Sequence, residues 1–152
     1  MNTRGQTNKK CRIILIEDCE EDALILKYFI RNAKLNVEEI VHFDDGMSAY
    51  EFLDSEIVDD RLLTNNLVIL DLNLPKMTGQ EILENLQKNK KNTVVNIIIL
   101  SGSENPADKE KCFSYGAKAY YVKPWHMDGY KEFTESQLRD EIHLICSIDN
   151  SQ

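Results

Sequence analysis

Asp71 closes the apolar run Leu67-Val68-Ile69-Leu70 and is followed by Leu72-Asn73-Leu74-Pro75, while an acidic pair, Glu17-Asp18, closes an earlier run, Ile13-Ile14-Leu15-Ile16. Runs of about four to eight apolar residues bounded by polar or turn residues read as buried strands, of the kind found in parallel sheets covered by helices on both faces. In open sheets of that type the site lies beyond the carboxyl ends of the strands. With the two strands as neighbours, three carboxylates meet in one small volume. Their repulsion makes the cluster unfavourable unless a cation joins them, so the chemistry to expect first is the binding of a hard divalent cation.

The elements that would position these carboxylates can be read from periodicity. Strands are predicted over about Arg12 to Glu17, Val37 to Phe43, a third run ending at Asp71, Val94 to Leu100, and Ala119 to Val122. Between them lie helical patterns. The first, about Glu20 to Ala33, carries Ala23, Leu26, Ile30 and Ala33 on one stripe, widened by Ile25, Tyr28 and Phe29, with Glu20 and Glu21 suiting the positive end of the helix dipole. A second spans about Met47 to Leu53 after the Asp44-Asp45-Gly46 turn. Thr78 with Glu81 forms a capping box for the third, and Asn105-Pro106 supplies an N-cap and a first-turn proline for the fourth, which Gly116 closes. The last runs from Met127 to about Ser147 with Leu138, Ile142 and Ile145 on one stripe. The connection over residues 56–66 is longer than the usual two to six residues, and either an extra turn or an extension of the preceding helix would fill it. Five strands alternating with five helices argue for an α/β fold with a central parallel sheet and right-handed crossovers.

Composition limits the function classes. The 152 residues, 42% hydrophobic and 29% charged, suit one domain with its own core. Residues 1–9 are polar and patternless and read as a disordered lead, 10–147 as the domain and 148–152 as a tail. The net charge of -8 opposes direct binding to nucleic acid or to anionic membranes. Lys88, Lys90 and Lys91 read as a solvated loop. Cys11, Cys19, Cys112 and Cys146 lack metal-ligand spacing, and the chain shows no secretory segment, so a reducing, cytoplasmic setting is expected. No apolar stretch approaches the roughly 20 residues needed to span a bilayer.

Taken in order, Glu17-Asp18, the Asp71-x-x-x-Pro75-x-Met77-x-Gly79 run, Ser101-Gly102 after the fourth strand and Tyr120-x-x-Lys123-Pro124 after the fifth resemble the signature of the response-regulator receiver domain of bacterial two-component signalling. The resemblance covers roughly Lys10 to Cys146. It implies a doubly wound, flavodoxin-like (βα)5 three-layer sandwich with five parallel strands. It further implies that Asp71 is the phosphoacceptor, a carboxylate nucleophile that attacks phosphorus to give an acyl phosphate. Asp18, Asp71 and the backbone carbonyl of Asn73 would ligate Mg²⁺, or Mn²⁺ in its place, with Glu17 helping through a water. Lys123 would pair with the phosphoryl oxygens, and a cis peptide bond before Pro124 would aim it; X-Pro bonds are the ones for which cis is cheap.

By the same resemblance Ser101 would donate its hydroxyl to the phosphoryl group, Gly102 would leave room for the donor, and Tyr120 would be the switch aromatic that turns inward with Ser101. Asn73 and Ser103 would modulate autodephosphorylation. Two departures stand out: Glu-Asp replaces the frequent Asp-Asp, and Trp125 replaces phenylalanine. With Met127, Tyr130 and Phe133, Trp125 either enlarges an apolar surface or packs into the core. The implied function is that of a stand-alone response regulator, no enzyme beyond its own phosphorylation and dephosphorylation. A histidine kinase or histidine phosphotransfer protein would phosphorylate it, and it would signal to a downstream protein as a monomer or a phosphorylation-dependent homodimer. The thirty or so residues after Lys123 suffice for a last helix and no output domain. The surface made by the fourth helix, fifth strand and fifth helix is the expected switch.

Other readings fare less well. A haloacid-dehalogenase-like phosphatase needs a second carboxylate two residues after the nucleophile as acid/base, and Asn73 cannot serve. A flavodoxin-like FMN protein needs phosphate-binding backbone after strand one, where Glu-Asp-Cys-Glu-Glu-Asp repels phosphate. No P-loop motif occurs. A receiver-like adaptor that works without phosphorylation is the strongest rival, although both Asp71 and Lys123 are present. His42, His126 and His143 are scattered and read as ordinary surface or packing residues.

Overall fold

The computed structural model describes residues 9–58, 65–89 and 95–148. Apart from Lys9 and Ile148, the expected lead and tail lie outside these residues, as does Val94. Five strands, β1 (Cys11–Ile16), β2 (Val37–Phe43), β3 (Asn66–Leu70), β4 (Ile97–Ser101) and β5 (Ala119–Val122), pair in parallel in the order β2-β1-β3-β4-β5. The helices are α1 (Glu20–Asn32), α2 (Gly46–Val58), α3 (Gly79–Lys88), α4 (Pro106–Ser114) and a final helix in three parts, α5 (Met127–Phe133), a π-helical stretch Thr134–Leu138, and α6 (Arg139–Ile148).

Strand alternation divides the core into two layers, because successive side chains point to opposite faces. Ile14 and Ile16 of β1, Val68 and Leu70 of β3, and Ile97 and Ile99 of β4 pack with Ala49, Leu53, Ile82, Leu83, Leu86 and Cys112 from α2, α3 and α4. Ile13, Leu15, Leu67, Ile69, Ile98 and Leu100 face the other way, onto Ala23, Leu26 and Ile30 of α1 and onto Tyr130, Phe133, Leu138, Ile142 and Ile145 of the final helix. This is the predicted doubly wound sandwich. Each such fully buried aliphatic side chain contributes about 1.5–3 kcal/mol relative to exposure.

Several boundaries differ from expectation. β1 and β3 each end one residue earlier, which leaves Glu17 and Asp71 just beyond the sheet. The second helix starts at Gly46 and continues to Val58, so the start of the 56–66 connection is helical; residues 59–64 lie outside the described ones. Of the two readings left open for that connection, extension of the preceding helix holds as far as Val58, and Glu56 is buried there with Arg12 Nη2 paired to its Oε1 at 2.7 Å. β4 begins at Ile97 and ends at Ser101. Tyr28, expected on the apolar stripe of α1, is 56% exposed.

The π-helical stretch was not legible as such. The buried positions Tyr130, Thr134, Leu138 and Ile142 recur in steps of four. Three such steps overrun three turns of an α-helix by about one residue, and the wider turn absorbs the difference, keeping Leu138 inside and Gln137 outside. Thr134 assists, since its Oγ1 donates to the carbonyl of Tyr130 at 2.8 Å.

One glycine ties α3 to the carboxyl end of β3. Gly79 N–H donates to the carbonyl of Leu72 at 2.9 Å, and a Cβ on Gly79 would stand 2.4 Å from the carbonyl oxygen of Asp71 and 2.8 Å from Leu72 Cα. Those neighbours are backbone and cannot swing aside. Gly79→Ala should therefore lower stability by about 1–3 kcal/mol, the usual cost of overpacking, read as an earlier urea midpoint at unchanged m-value.

Candidate functional site

The strand order reverses at β1, with β2 on one side and β3 on the other, so the crevice at the carboxyl ends of β1 and β3 is the topological switch point. The register pairs Ile16 with Leu70, and Asp71 N–H donates to the Ile16 carbonyl at 3.0 Å. Glu17 and Asp71 consequently stand side by side, each only 4% exposed, and Asp18 follows on the solvent side. One carboxylate oxygen from each of Glu17, Asp18 and Asp71 lies within 4.8 Å of the other two. Three hard oxygen donors at that spacing fit a divalent cation of the magnesium type, which takes one or two carboxylates and keeps several waters.

Lys123 supplies positive charge to this cluster. Its N–H donates to the Ser101 carbonyl at 2.8 Å, which fixes the end of β5 against β4 and directs the side chain across the top of the sheet. Nζ lies 2.7 Å from Glu17 Oε1, 3.1 Å from Asp71 Oδ2 and 3.1 Å from Asp22 Oδ2. Glu17 Oε2 also accepts the Cys19 N–H at 3.1 Å, and Asp71 Oδ1 accepts that of Asn73 at 3.3 Å. Among the described residues every peptide bond is trans, including that before Pro124, which corrects the cis form expected there. Trans is favoured by about 0.5–1 kcal/mol even before proline, and the long lysine stem reaches the carboxylates without the other isomer.

Burial and mutual charge together set the proton affinities. The Glu17 carboxyl is pushed up to about 7, first by burial and then by the charge of Asp71, against the lowering effect of Lys123. For Lys123 burial acts to lower the pKa, but the hydrogen bond and charge of Glu17, joined by Asp71, overrule it and hold the ammonium well above its ordinary range. The lysine stays charged, and Glu17 takes a proton more readily than an ordinary glutamate does.

Ser101, Gly102, Ser103 and Tyr120 form a neighbouring group on the β4–β5 side. Ser101 is fully buried, with Oγ accepting the Ser103 N–H at 3.3 Å. A Cβ at Gly102 would meet nothing within 4 Å, so the surface beside Ser101 is open. Tyr120 is half-buried and donates its hydroxyl to the Ser103 carbonyl at 2.8 Å; burial raises its pKa. Ser103 Oγ in turn donates to Asp108 Oδ2 at 2.5 Å, fastening this loop to α4. Trp125 is 92% exposed and Met127 55% exposed, whereas Tyr130 and Phe133 are core residues, so the four do not form one surface.

Two residues of the site went unread in the sequence. His42, taken there as an ordinary residue, lies with Nε2 2.8 Å from the Glu17 carbonyl and Nδ1 2.9 Å from Lys27 Nζ; with Lys27 as donor to Nδ1, the Nε2–H donates to the carbonyl and braces the acidic loop. Asp22 reaches Lys123. Its signal was available: Asp22, Leu26 and Ile30 recur at steps of four, so Asp22 continues a buried stripe toward the site.

Comparison with known proteins agrees with this geometry. Residues 13–135 match the response regulator receiver domain, and the chain belongs to that family. The chain is 34% identical over 117 residues to the cell cycle transcriptional regulator CtrA of Caulobacter vibrioides, covering 77% of this chain and 46% of that one. Against the cell cycle response regulator CtrA of Brucella ovis the identity is 32% over 117 residues, covering 77% and 45%. The chain thus spans about half the length of the curated relatives it matches. Among solved structures, a response regulator receiver domain from Rhodospirillum rubrum superposes with a TM-score of 0.71 at 29% identity, covering 93% of this chain and 95% of that one. The phosphorylated cyanobacterial phytochrome response regulator RcpA does so with a TM-score of 0.73 at 25% identity, covering 85% and 91%. The chain is accordingly a receiver domain of two-component signalling, a family of signalling proteins that bind Mg²⁺ at an acidic pocket. Among the described residues no helix is long and apolar enough to cross a membrane.

The raised affinity of Glu17 for a proton has a consequence for stability without metal. Its folded pKa exceeds the unfolded value of 4.5, so its contribution is fully present below pH 4.5 and is lost as the pH rises through about 7. Glu17→Gln should therefore gain in melting temperature relative to wild type between pH 5 and pH 8, measured in EDTA. An unchanged difference across that range would contradict the assignment.

Proposed function

We propose that this receiver accepts a phosphoryl group on Asp71 from a phosphohistidine of a histidine kinase or histidine phosphotransfer protein, and that the acyl phosphate switches a surface read by a downstream protein. A carboxylate oxygen of Asp71 forms the new bond to phosphorus while the bond from phosphorus to the donor breaks, its electron pair leaving with the donor. The observation that carries this reading is Lys123 Nζ at 3.1 Å from Asp71 Oδ2, inside a group of three converging carboxylates. A nucleophile, a fixed cation and an acidic cation site at a switch point are the parts that phosphoryl transfer by positioning and electrostatics needs.

Asp18, Asp71 and the Asn73 carbonyl, with Glu17 beside them, would hold magnesium or manganese, whose charge lets an anionic carboxylate meet an anionic phosphoryl group. Lys123 would orient the phosphoryl oxygens, and the Ser101 hydroxyl would donate to one of them at the open side beside Gly102. Tyr120, bonded to the Ser103 carbonyl, links that loop to α4 and β5, so movement of Ser101 would be felt at the α4–β5–α5 surface. Asn73, whose N–H meets the acceptor, and Ser103, in the loop after β4, would tune its hydrolysis. The phosphorylated state of the similar cyanobacterial structure supports the reading.

We take residues 10–147 as the signalling unit, acting in the cytoplasm as a monomer or a phosphorylation-dependent homodimer, and catalysing its own phosphorylation and dephosphorylation alone. The net charge of -8 supports an output through protein contacts rather than nucleic acid. Intact mass after incubation with acetyl phosphate and Mg²⁺ tests the proposal. One phosphoryl adduct is expected on the wild type and none on Asp71→Asn or without metal. A folded, metal-bound wild type that gains no adduct would contradict it and favour an adaptor that works without phosphorylation.

A further inference from the structure

Asp22 stands apart from its neighbours in the first turn of α1. Glu20 and Glu21 are exposed, but Asp22 is turned toward the site, its side chain 29% exposed and its Oδ2 3.1 Å from Lys123 Nζ. An ammonium has three protons to give. Glu17, Asp22 and Asp71 are three acceptors for it, at 2.7, 3.1 and 3.1 Å, so no donor remains for an incoming phosphoryl oxygen until one carboxylate lets go.

The three partners are not equivalent. Oxygens of Glu17 and Asp71 belong to the converging set that suits a divalent cation, and that of Asp22 does not. When Glu17 and Asp71 turn to a cation, Asp22 is the carboxylate still facing the lysine. On its other side Asp22 meets the core, where burial first and then the charge of Asp22 raise the pKa of the Tyr130 phenol in α5. Asp22 therefore lies between Tyr130 of α5 and the lysine that follows β5.

We infer that Asp22 is a positioning residue that restrains Lys123, keeping the ammonium on the α1 side of the site and competing with the phosphoryl oxygens for it. The inference rests on the phosphoacceptor reading of Asp71. Asp22 touches neither the acceptor nor the transferred group, and it acts through the lysine. Its charge lowers the attraction Lys123 can exert on a phosphoryl dianion, so the chain accepts a phosphoryl group more slowly than its acceptor and cation site alone would allow.

The test is the rate of adduct formation with acetyl phosphate and Mg²⁺, followed by intact mass for wild type, Asp22→Asn, Asp22→Glu and Asp71→Asn. Asp22→Asn keeps the shape and removes the charge, and a gain of about two- to fivefold is expected, the range set by a partly exposed ion pair. Asp22→Glu restores the charge and should return the rate toward wild type, which a merely structural role would not do. Asp22→Ser provides a second neutral variant if the amide disturbs the helix start, and thermal melting checks that each variant is folded. A folded neutral variant that phosphorylates at the wild-type rate or slower overturns the inference, as does a glutamate variant as fast as the asparagine one. An adduct on wild type but not on Asp71→Asn upholds the underlying reading whatever Asp22 does. No adduct on wild type defeats that reading and this inference with it.

Discussion

Parallel pairing of β1 and β3 forces two buried carboxylates together. With Ile16 opposite Leu70, the next residues, Glu17 and Asp71, have nowhere to go but the same crevice. Two like charges at about 4 Å repel by roughly 4 kcal/mol at an effective dielectric of about 20, a large fraction of the stability of a small domain. The sheet cannot relieve this by slipping, since a shift of one residue would turn each alternating apolar face to the wrong layer. Once Glu17 is ionised, above about pH 7, a cation is needed at the spot, and Lys123 delivers it from the far side of β4. Its position depends in turn on the Ser101 carbonyl, on β5 pairing with β4, and on the packing that keeps those strands in register.

The same constraint accounts for what the site does. A cluster that is unfavourable without a cation has affinity for one, and the lysine that sits among three carboxylates would meet an incoming phosphoryl group, under the proposed function, in competition with Asp22. The acidic loop is held from below as well, by His42 on the Glu17 carbonyl and by Gly79, whose missing side chain lets α3 approach the Asp71 backbone. The loop after β4 differs in character. Its contacts are hydrogen bonds through Ser101, Ser103 and Tyr120, between neutral groups until the last, which ends on the Asp108 carboxylate of α4. A charged half beside a hydrogen-bonded half that reaches α4 is the arrangement on which the proposed switch rests.

Much of this could be read before any coordinates. Apolar runs and their terminal acids located β1, β3 and the carboxylate cluster, because burial on both faces leaves an unmistakable pattern. Caps at Thr78 and Asn105 placed α3 and α4, since orphan backbone donors select particular side chains. What escaped depended on pairs distant in sequence. Glu56 is buried beside Arg12, distant in sequence, His42 matters only because β2 lies beside Glu17, and the π-helical stretch answers the spacing of a core that spans two helices and a sheet. Asp22 was hidden behind Glu20 and Glu21, which the helix dipole explained, and was read only as part of an acidic loop that repels phosphate.

The measurement that tests the central claim is thermal unfolding of wild type and Lys123→Met at pH 8, each in EDTA and in Mg²⁺. If the ammonium holds the carboxylates together, Lys123→Met in EDTA should melt several degrees below wild type, and Mg²⁺ should recover most of that loss. A Lys123→Met variant that melts at or above the wild-type temperature in EDTA, with no greater response to Mg²⁺, would contradict the account.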